Sequence, residues 1–463
     1  MKAIFRKPKF NIEIVRPDYN SKTYSTNLVV NFVSSEITKD DKSSTALISY
    51  TFSESLDPIS SDFSLNIIAE KDSNGRTWID KIFDMDLVFI SEFDVIRYVG
   101  YIKQRSYAAD ISSDGSPERR ITIQGGSLGS LLNSFKIVLD QALYVGNSTA
   151  NTASTALMSM LSSEWQPGGK FSGMIKSIAN SFLELTLKFS NSNSTGVKGV
   201  IDKLVDLHSA IPDKFVVQYP MSLSLYQRGE NSIWDLLSNI AHPPVNELFG
   251  RWNSDRSVYE LIFRQAPFEP ADWKQLVCNI IPPIIIPEYN LSFSNDDVFT
   301  FYLCCLVGSG IDKNKAVVLT PGEKKRNLYE IDEEKWSKYG YRPLIADFRY
   351  FNRSKIKEYS ETFSLIVELS SMLKRWFSKN DELLSGTITI MTVDEKDEQT
   401  NLKNPRIGEK LKLMQTEFYI ESSEHSGTYG GPMQSKLGLS RGYEYDNNGN
   451  MVKKPDYIAH RLQ

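Results

Sequence analysis

Gly229-Glu230-Asn231-Ser232-Ile233-Trp234-Asp235-Leu236-Leu237 opens a run that continues through Asn246-Glu247-Leu248-Phe249 and Phe263-Arg264-Gln265-Ala266-Pro267-Phe268 and closes at Trp273. Ser232 with Asp235 three residues on approximates a capping box, in which a side-chain oxygen takes up a free N–H of the first helical turn. Ile233, Leu236, Leu237 and Ile240 then recur at helical spacing as one apolar stripe. His242-Pro243-Pro244 ends that helix, because proline cannot continue it. Val258–Gln265 alternates as a strand, with Tyr259, Leu261 and Phe263 on one face. The run therefore reads as a capped amphipathic helix, a turn, a hairpin and a Pro-containing exit.

Strands dominate upstream of it. Leu28, Val30 and Phe32 alternate with Val29, Asn31 and Val33; Ala46, Ile48, Tyr50 and Phe52 alternate with Leu47, Ser49 and Thr51; Phe63, Leu65 and Ile67 line a third strand. Period-two patterning puts one row of side chains in a core and the other toward solvent or a partner. Turn-forming clusters separate the strands at Thr38–Lys42 and Lys71–Gly75. Further strands fall near Asp86–Ser91, Val95–Gln104 and Arg120–Gln124. Six short antiparallel strands close most economically into a small barrel, which removes exposed edges.

A helical middle follows. Leu128, Leu131, Leu132, Phe135 and Val138 share a face, as do Phe171, Met174, Ile175, Ile178, Phe182 and Leu185, and then Val197, Val200, Ile201, Leu204 and Val205. The connectors 147–155 and 190–195 are rich in Asn, Ser and Thr and read as exposed loops. Beyond the opening run, a long helix is expected over Lys355–Lys379 and strands over Thr387–Val393, Lys410–Ser422 and Gln434–Arg441. Asn448-Gly449 is a hairpin signal. The expected class is α+β, mainly β, with two similar small β-barrel domains and helical insertions. Its divisions are an N-terminal barrel over 1–126, a helical insert over 127–217, a mixed region over 218–350, and a long helix with second-barrel strands over 351–463. The second barrel is expected to be discontinuous, sharing strands from 218–270.

Composition sets outer bounds. The 463 residues suffice for two to four domains, and 41% hydrophobic with 24% charged residues is ordinary for a soluble globular chain. A net charge of −4 argues against specific nucleic-acid binding, which calls for a basic excess. The basic run Lys324-Lys325-Arg326 reads as a solvated loop. Cys278, Cys304 and Cys305 provide neither a disulfide framework nor paired metal-ligand spacing, and the adjacent pair reads as small buried apolar groups. The first residues lack a secretory apolar core, and no apolar stretch approaches the ~20 residues that span a bilayer. A reducing cytoplasm is the expected site of assembly.

Several blocks, in order, carry a resemblance. Besides the Gly229–Trp273 run they are Gly75-Arg76-Thr77-Trp78-Ile79-Asp80 with Asp86-Leu87-Val88-Phe89-Ile90, and Tyr339-Gly340-Tyr341-Arg342-Pro343-Leu344. Downstream come Ile407-Gly408-Glu409-Lys410-Leu411 and the closing Phe418–Ser422 strand, a loop through His425 and Gly430-Gly431, and Lys436-Leu437-Gly438-Leu439. Together they resemble the baseplate hub proteins of phage tails, found also in contractile injection systems. The resemblance implies a homotrimer with two similar barrels per subunit, a virion structural protein whose pseudo-sixfold ring joins the sixfold tail tube to the threefold central spike. Implied partners are further copies of the chain, tail tube proteins and the central spike protein, with baseplate wedge and tape-measure proteins as further candidates. The implied location is the virion tail or injection particle. The helical insert and 278–318 match no block of this kind.

Catalytic signals are sparse. His208, His242, His425 and His460 are scattered and form no zinc-ligand pair. Ser423, Glu424 and His425 are consecutive, but strand neighbours point to opposite faces, so a polar loop rim is the expected reading. Gly125-Gly126-Ser127-Leu128-Gly129-Ser130 lacks the Gly-Lys-Ser/Thr ending of a phosphate loop. No catalytic residue, cofactor site or metal site is assigned, and the chain is expected not to be an enzyme. Two rival readings are a tail-associated cell-wall hydrolase and a carbohydrate-binding tail module using Trp165, Trp252 and Trp336.

Overall fold

A computed structural model describes residues 7–18, 25–34, 43–57, 61–69, 74–111, 117–134, 205–206, 243–306, 328–348, 359–397 and 402–455, with positions 232, 234, 235 and 238. The helix expected over 171–185, the helix expected over 197–205 up to its last residue, the connectors 147–155 and 190–195, and Trp165, Lys324–Arg326, His208, His242 and His460 lie outside the described residues; Val205 itself is in a strand, not the expected helix. The molecule is α+β and mainly β.

The first sheet contains β1 (Phe10–Pro17), β2 (Thr26–Val33), β3 (Ser43–Ser44), β4 (Leu47–Ser55) and β5 (Asp62–Ile68). A single-turn helix α1 (Trp78–Lys81) precedes β6 (Leu87–Glu92), β7 (Val95–Ile111) and β8 (Pro117–Ser127). The strand order is β4-β5-β8-β7-β6-β1-β2-β3. β1 adds a strand to the six expected; its Ile12 and Ile14 alternate with Asn11 and Glu13 and are fully buried. Phe10, Ile14, Phe32, Tyr50, Phe52, Leu65, Ile90, Tyr98 and Ile123 belong to one core that draws on seven of these strands. α1 closes one end of it: Asp80 and Thr77 form a reciprocal cap, and Trp78 meets Phe32 edge-on at 5.6 Å. A one-turn helix, α2 (Leu131–Ser134), stands where a longer helix was expected over 128–138, its residues beyond 134 being outside the described set.

Downstream, β9 (Val205–Asp206), β10 (Asn246–Asn253) and β11 (Val258–Gln265) form a small separate sheet, followed by α3 (Pro270–Gln275). β12 (Cys278–Ile280) and β13 (Glu288–Phe293) come next. A three-stranded sheet of β14 (Phe301–Leu306), β15 (Tyr329–Ile331) and β16 (Pro343–Phe348), with α4 (Glu333–Tyr339) between its last two strands, is covered by α5 (Tyr359–Phe377). Leu365, Leu369, Leu373 and Trp376 form the buried stripe of α5, against Tyr302 and the buried Cys304 and Cys305. The chain ends in β17 (Leu384–Met391), β18 (Lys410–Leu413), β19 (Thr416–Thr428), β20 (Met433–Tyr445) and β21 (Met451–Lys453), the last turn made at Asn448-Gly449.

The second large sheet runs β13-β17-β20-β19-β18-β12. Its upstream strands come from 278–293, whereas the hairpin β10–β11 stays in its own sheet and contributes Phe249 and Ile262 to the second core. The two sheets share one topology. The order β4-β5-β8-β7-β6 in the first matches β13-β17-β20-β19-β18 in the second, with the same chain direction and sequence order. A short strand paired in parallel precedes the first member of each: β3 on β2, and β12 on β18. Both ends of each strand order thus fall on one short stretch of chain. The first sheet differs by the extra hairpin β1–β2.

The match extends to single residues. β7 bulges between Ile102 and Gln104 against β8, and β19 between Ile420 and Ser422 against β20. Ile102 N–H donates to the Asp86 carbonyl at 3.0 Å, and Ile420 N–H to the Glu409 carbonyl at 3.1 Å. The two large sheets are joined edge to edge, because the second half of β19 pairs with β4 from Ser422 opposite Ser55 to Thr428 opposite Ser49.

Candidate functional site at the seam between the sheets

Seven residues of β4 face seven of β19, and the two sides of that ladder differ. On the inner side Phe52 stacks on the His425 ring at 4.4 Å. His425 Nδ1 lies 2.9 Å from Ser435 Oγ and 3.5 Å from Glu92 Oε2, and the Tyr50 hydroxyl donates to Glu92 Oε1 at 2.8 Å. Arg97 Nη1 donates to Glu395 Oε1 at 2.8 Å and its Nε stands 4.0 Å from Glu92, tying the two sheets through a buried ionic network. Burial by itself would raise the Glu92 carboxyl; His425, Arg97 and the Tyr50 hydroxyl together outweigh it and hold it below the usual carboxylate range. Glu54, on the same inner side, is held above that range by burial, which the charges of His425, Arg406 and Arg251 offset only in part.

His425 therefore belongs to a strand interior, not to the polar loop rim expected for Ser423-Glu424-His425. β19 runs on to Thr428, so the loop expected through His425 begins only after that residue. Ser423 and His425 are buried while Glu424 points to the opposite face. Both Ser435 and Glu92 approach the same ring nitrogen, and a nucleophile relay needs the base to hold its two partners on different nitrogens. The cluster is a buried joint.

The outer side is polar along two rows of paired residues. Asn290, Thr387, Gly438, Ser422 and Ser55 stand opposite one another in a row that crosses both sheets. Ser426, Thr51, Ser64, Gln124 and Gln104 form a second. A shallow groove in this face is lined by Thr51, Ser53, Asp62, Lys103, Gln124 and Glu424. Hydroxyl and amide groups stand in these rows in place of large apolar ones.

Three of the sequence blocks, the run that closes at Trp273, Ile407–Leu411 and Phe418–Ser422, meet at a second joint. Arg264 donates through Nε to Glu247 at 3.0 Å and through Nη2 to the Gly408 carbonyl and the Tyr419 hydroxyl, both at 2.8 Å. Tyr419 also donates to Glu247 at 2.7 Å. Arg251 donates to the Ile407 carbonyl at 3.0 Å and to Glu409 at 3.2 Å. Trp273 Nε1 donates to Glu417 at 3.0 Å while its ring stacks on Tyr445 at 4.5 Å, and Phe268 meets Tyr419 edge-on at 5.6 Å. Glu247, Phe249, Arg264, Phe268 and Trp273 from the hairpin run thus dock on Gly408 and Tyr419 of the later blocks. Ser232 Oγ accepts the Asp235 N–H at 3.0 Å, so the expected helix cap is present.

Among the described residues no group of three His, Cys, Asp or Glu side chains is placed to hold a metal. No described helix is long and apolar enough to cross a membrane. Trp252 is buried, and Trp336 packs half-exposed against Tyr341 with the rings inclined at 55°, which does not make one flat platform.

No protein-family model and no curated protein sequence matches the chain. Solved structures do align with it. The 43 kDa tail protein of prophage MuSo2 from Shewanella oneidensis aligns at 12% identity and TM-score 0.49, over 94% of this chain and 98% of that one. The tail protein from Neisseria meningitidis MC58 aligns at 10% identity and TM-score 0.45, over 93% and 96%. The lidded PdpA–VgrG complex of Francisella aligns at 9% identity and TM-score 0.43, over 98% of this chain and 55% of that one.

Proposed function

We propose that this chain is a structural hub of a phage tail baseplate or a related contractile injection particle. Three copies form a ring in which each large sheet serves as one small barrel. Six such units meet the sixfold tail tube on one side, while the threefold subunit arrangement meets the central spike on the other. The partners are further copies, tube protein and spike protein, with wedge and tape-measure proteins as additional neighbours. The particle is assembled in the bacterial cytoplasm, and the role is architectural.

One observation carries this reading: a single chain holds two sets of five strands in the same order, joined edge to edge by β4 and β19. A repeated unit inside each subunit lets a threefold assembly present sixfold contacts, and head-to-tail contacts close into a ring when the rotation permits. Three of the sequence blocks add support, because they build the joint that fixes the hairpin on the second sheet. The buried Ser435–His425–Glu92 cluster lacks relay geometry, which favours a part over an enzyme.

Light scattering tests the assembly directly. The expected mass is three times the 52.6 kDa of one chain, at least with tube and spike proteins present. Monomer throughout the micromolar range under those conditions would refute the ring. A cell-wall zymogram separates the hydrolase alternative; the hub leaves no clearing.

A further inference from the structure

The internal seam is a template for a second seam that the chain begins but does not complete. In the shared topology β7 corresponds to β19, and β4 to β13. β19 uses its overhanging half to pair with β4. The overhanging half of β7, beyond Ile102, has β8 on one side and no strand on the other among the described residues. Among the described residues β13, the counterpart of β4, is an end of its sheet. We infer that β7 of one copy pairs antiparallel with β13 of the next, repeating between subunits the β19·β4 ladder that joins the halves within one. The inference rests on the ring reading above and specifies the surface that makes the ring.

The register follows from the equivalences. Ile102 matches Ile420, so Tyr107 takes the place of His425 and Ala109 that of Gly427. Thr51 lies opposite Ser64, and Asn290 opposite Thr387, at the same level of the two sheets. Tyr289 therefore matches Tyr50, and Leu291 matches Phe52. Transferring the known ladder places Ala109 opposite Tyr289, Ala108 opposite Asn290, Tyr107 opposite Leu291 and Ser106 opposite Ser292.

Exposure supports this assignment independently. Tyr50 is 0% exposed and His425 5%, whereas their counterparts Tyr289 and Tyr107 are 37% and 48% exposed. Each pair holds the same place in the same topology; what differs is the neighbouring strand. A Tyr107 ring lying over Leu291 repeats the contact of His425 with Phe52. At one position the second seam departs from the template: a Cβ at Gly427 would meet the Tyr50 ring at 2.5 Å, so Ala109 requires the exposed Tyr289 ring to turn aside. Edge strands of this kind invite pairing with another chain. The second seam would also carry the hydroxyl-rich outer face from one subunit to the next.

Cysteine pairs test both partner and register, in the full chain with Cys278→Ser to remove an exposed thiol. Directly opposite cross-strand positions lie within disulfide reach, and positions two residues out of register do not. Ala108→Cys with Asn290→Cys, and separately Tyr107→Cys with Leu291→Cys, are expected to give covalent trimers on non-reducing gels, collapsed to single chains by thiol. Ala108→Cys with Ser292→Cys is the out-of-register control and is expected not to link. A threefold mass in light scattering without linkage in either in-register pair would overturn this seam and leave the ring standing. A mass of one chain, with tube and spike proteins present and no linkage, would overturn both.

Discussion

Met85 and Gly408 hold the same place in the two halves of the chain. Met85 has φ of 69° and donates its N–H to the Ile102 carbonyl; Gly408 has φ of 75° and donates to the Ile420 carbonyl, both at 2.9 Å. A left-handed residue just before β6 and before β18 starts each of these strands in register with its long neighbour. The backbone requirement is the same, and the side-chain environments are not.

That difference makes an asymmetric prediction. A Cβ at Gly408 would meet the Phe249 ring at 2.6 Å and Arg264 at 2.9 Å. Gly408→Ala is expected to cost about 2–3 kcal/mol, from strain at positive φ together with the clash. Met85→Gly removes the same backbone strain and is expected to change stability by less than about 1 kcal/mol, in either direction. Urea unfolding of the two variants checks this; equal losses would contradict it.

Tyr419→Phe leaves the Glu247 carboxylate short of a donor and Arg264 short of an acceptor in a buried joint. The expected loss is about 1–3 kcal/mol. The damage should be local to the hairpin's docking, so protease cleavage within 246–265 is expected to rise before global unfolding. A variant as resistant as the parent would show that the joint does not hold the hairpin.

The two acids of the seam should respond to pH with opposite signs. Glu92 is held below its ordinary value, so its contribution is present above the unfolded pKa of about 4.3 and is lost as pH falls through the folded value. Glu54 is held above its ordinary value, so its contribution is present below about pH 4.3 and is lost as pH rises through the folded value. At neutral pH Glu92→Gln is expected to destabilise and Glu54→Gln to stabilise. Both differences should shrink in acid. Melting curves at pH 7 and pH 4 read them, and matching signs at pH 7 would contradict the assignment.

Two tryptophans separate packing from surface use. Trp273 is buried, stacked and hydrogen-bonded, and Trp273→Ala is expected to cost about 3–5 kcal/mol. Trp336 is half-exposed against Tyr341, and Trp336→Ala is expected to cost about 1 kcal/mol or less. If Trp336→Ala abolished binding to a cell-surface glycan, the carbohydrate reading would displace the architectural one for that face.

Much of this architecture was legible in the residues. Alternation located β2, β4, β5 and most of β20, and Ile366, Leu373 and Trp376 at helical spacing marked the long helix. The cap at Ser232 and the turn at Asn448-Gly449 were readable because their chemistry is local. β1 and β13, at eight and six residues, also alternate in sequence and stand outside the strands expected from it. The repeat itself was invisible in the letters. Met85 matches Gly408, Tyr107 matches His425 and Phe52 matches Leu291, so what recurs is backbone geometry and strand order, not side-chain identity. His425 misled for a related reason: a polar residue between Ser423 and Ser426 looks like a rim until β4 is seen beside it.

Imaging the isolated assembly by electron microscopy tests the central claim most directly, that one chain supplies two equivalent units to a shared ring. The expected projection down the axis has six similar lobes around an open centre, with only threefold symmetry once the three-stranded sheet and α5 are resolved. A single subunit without a pore, or a ring in which β4·β19-type contacts fail to alternate within and between chains, would contradict it.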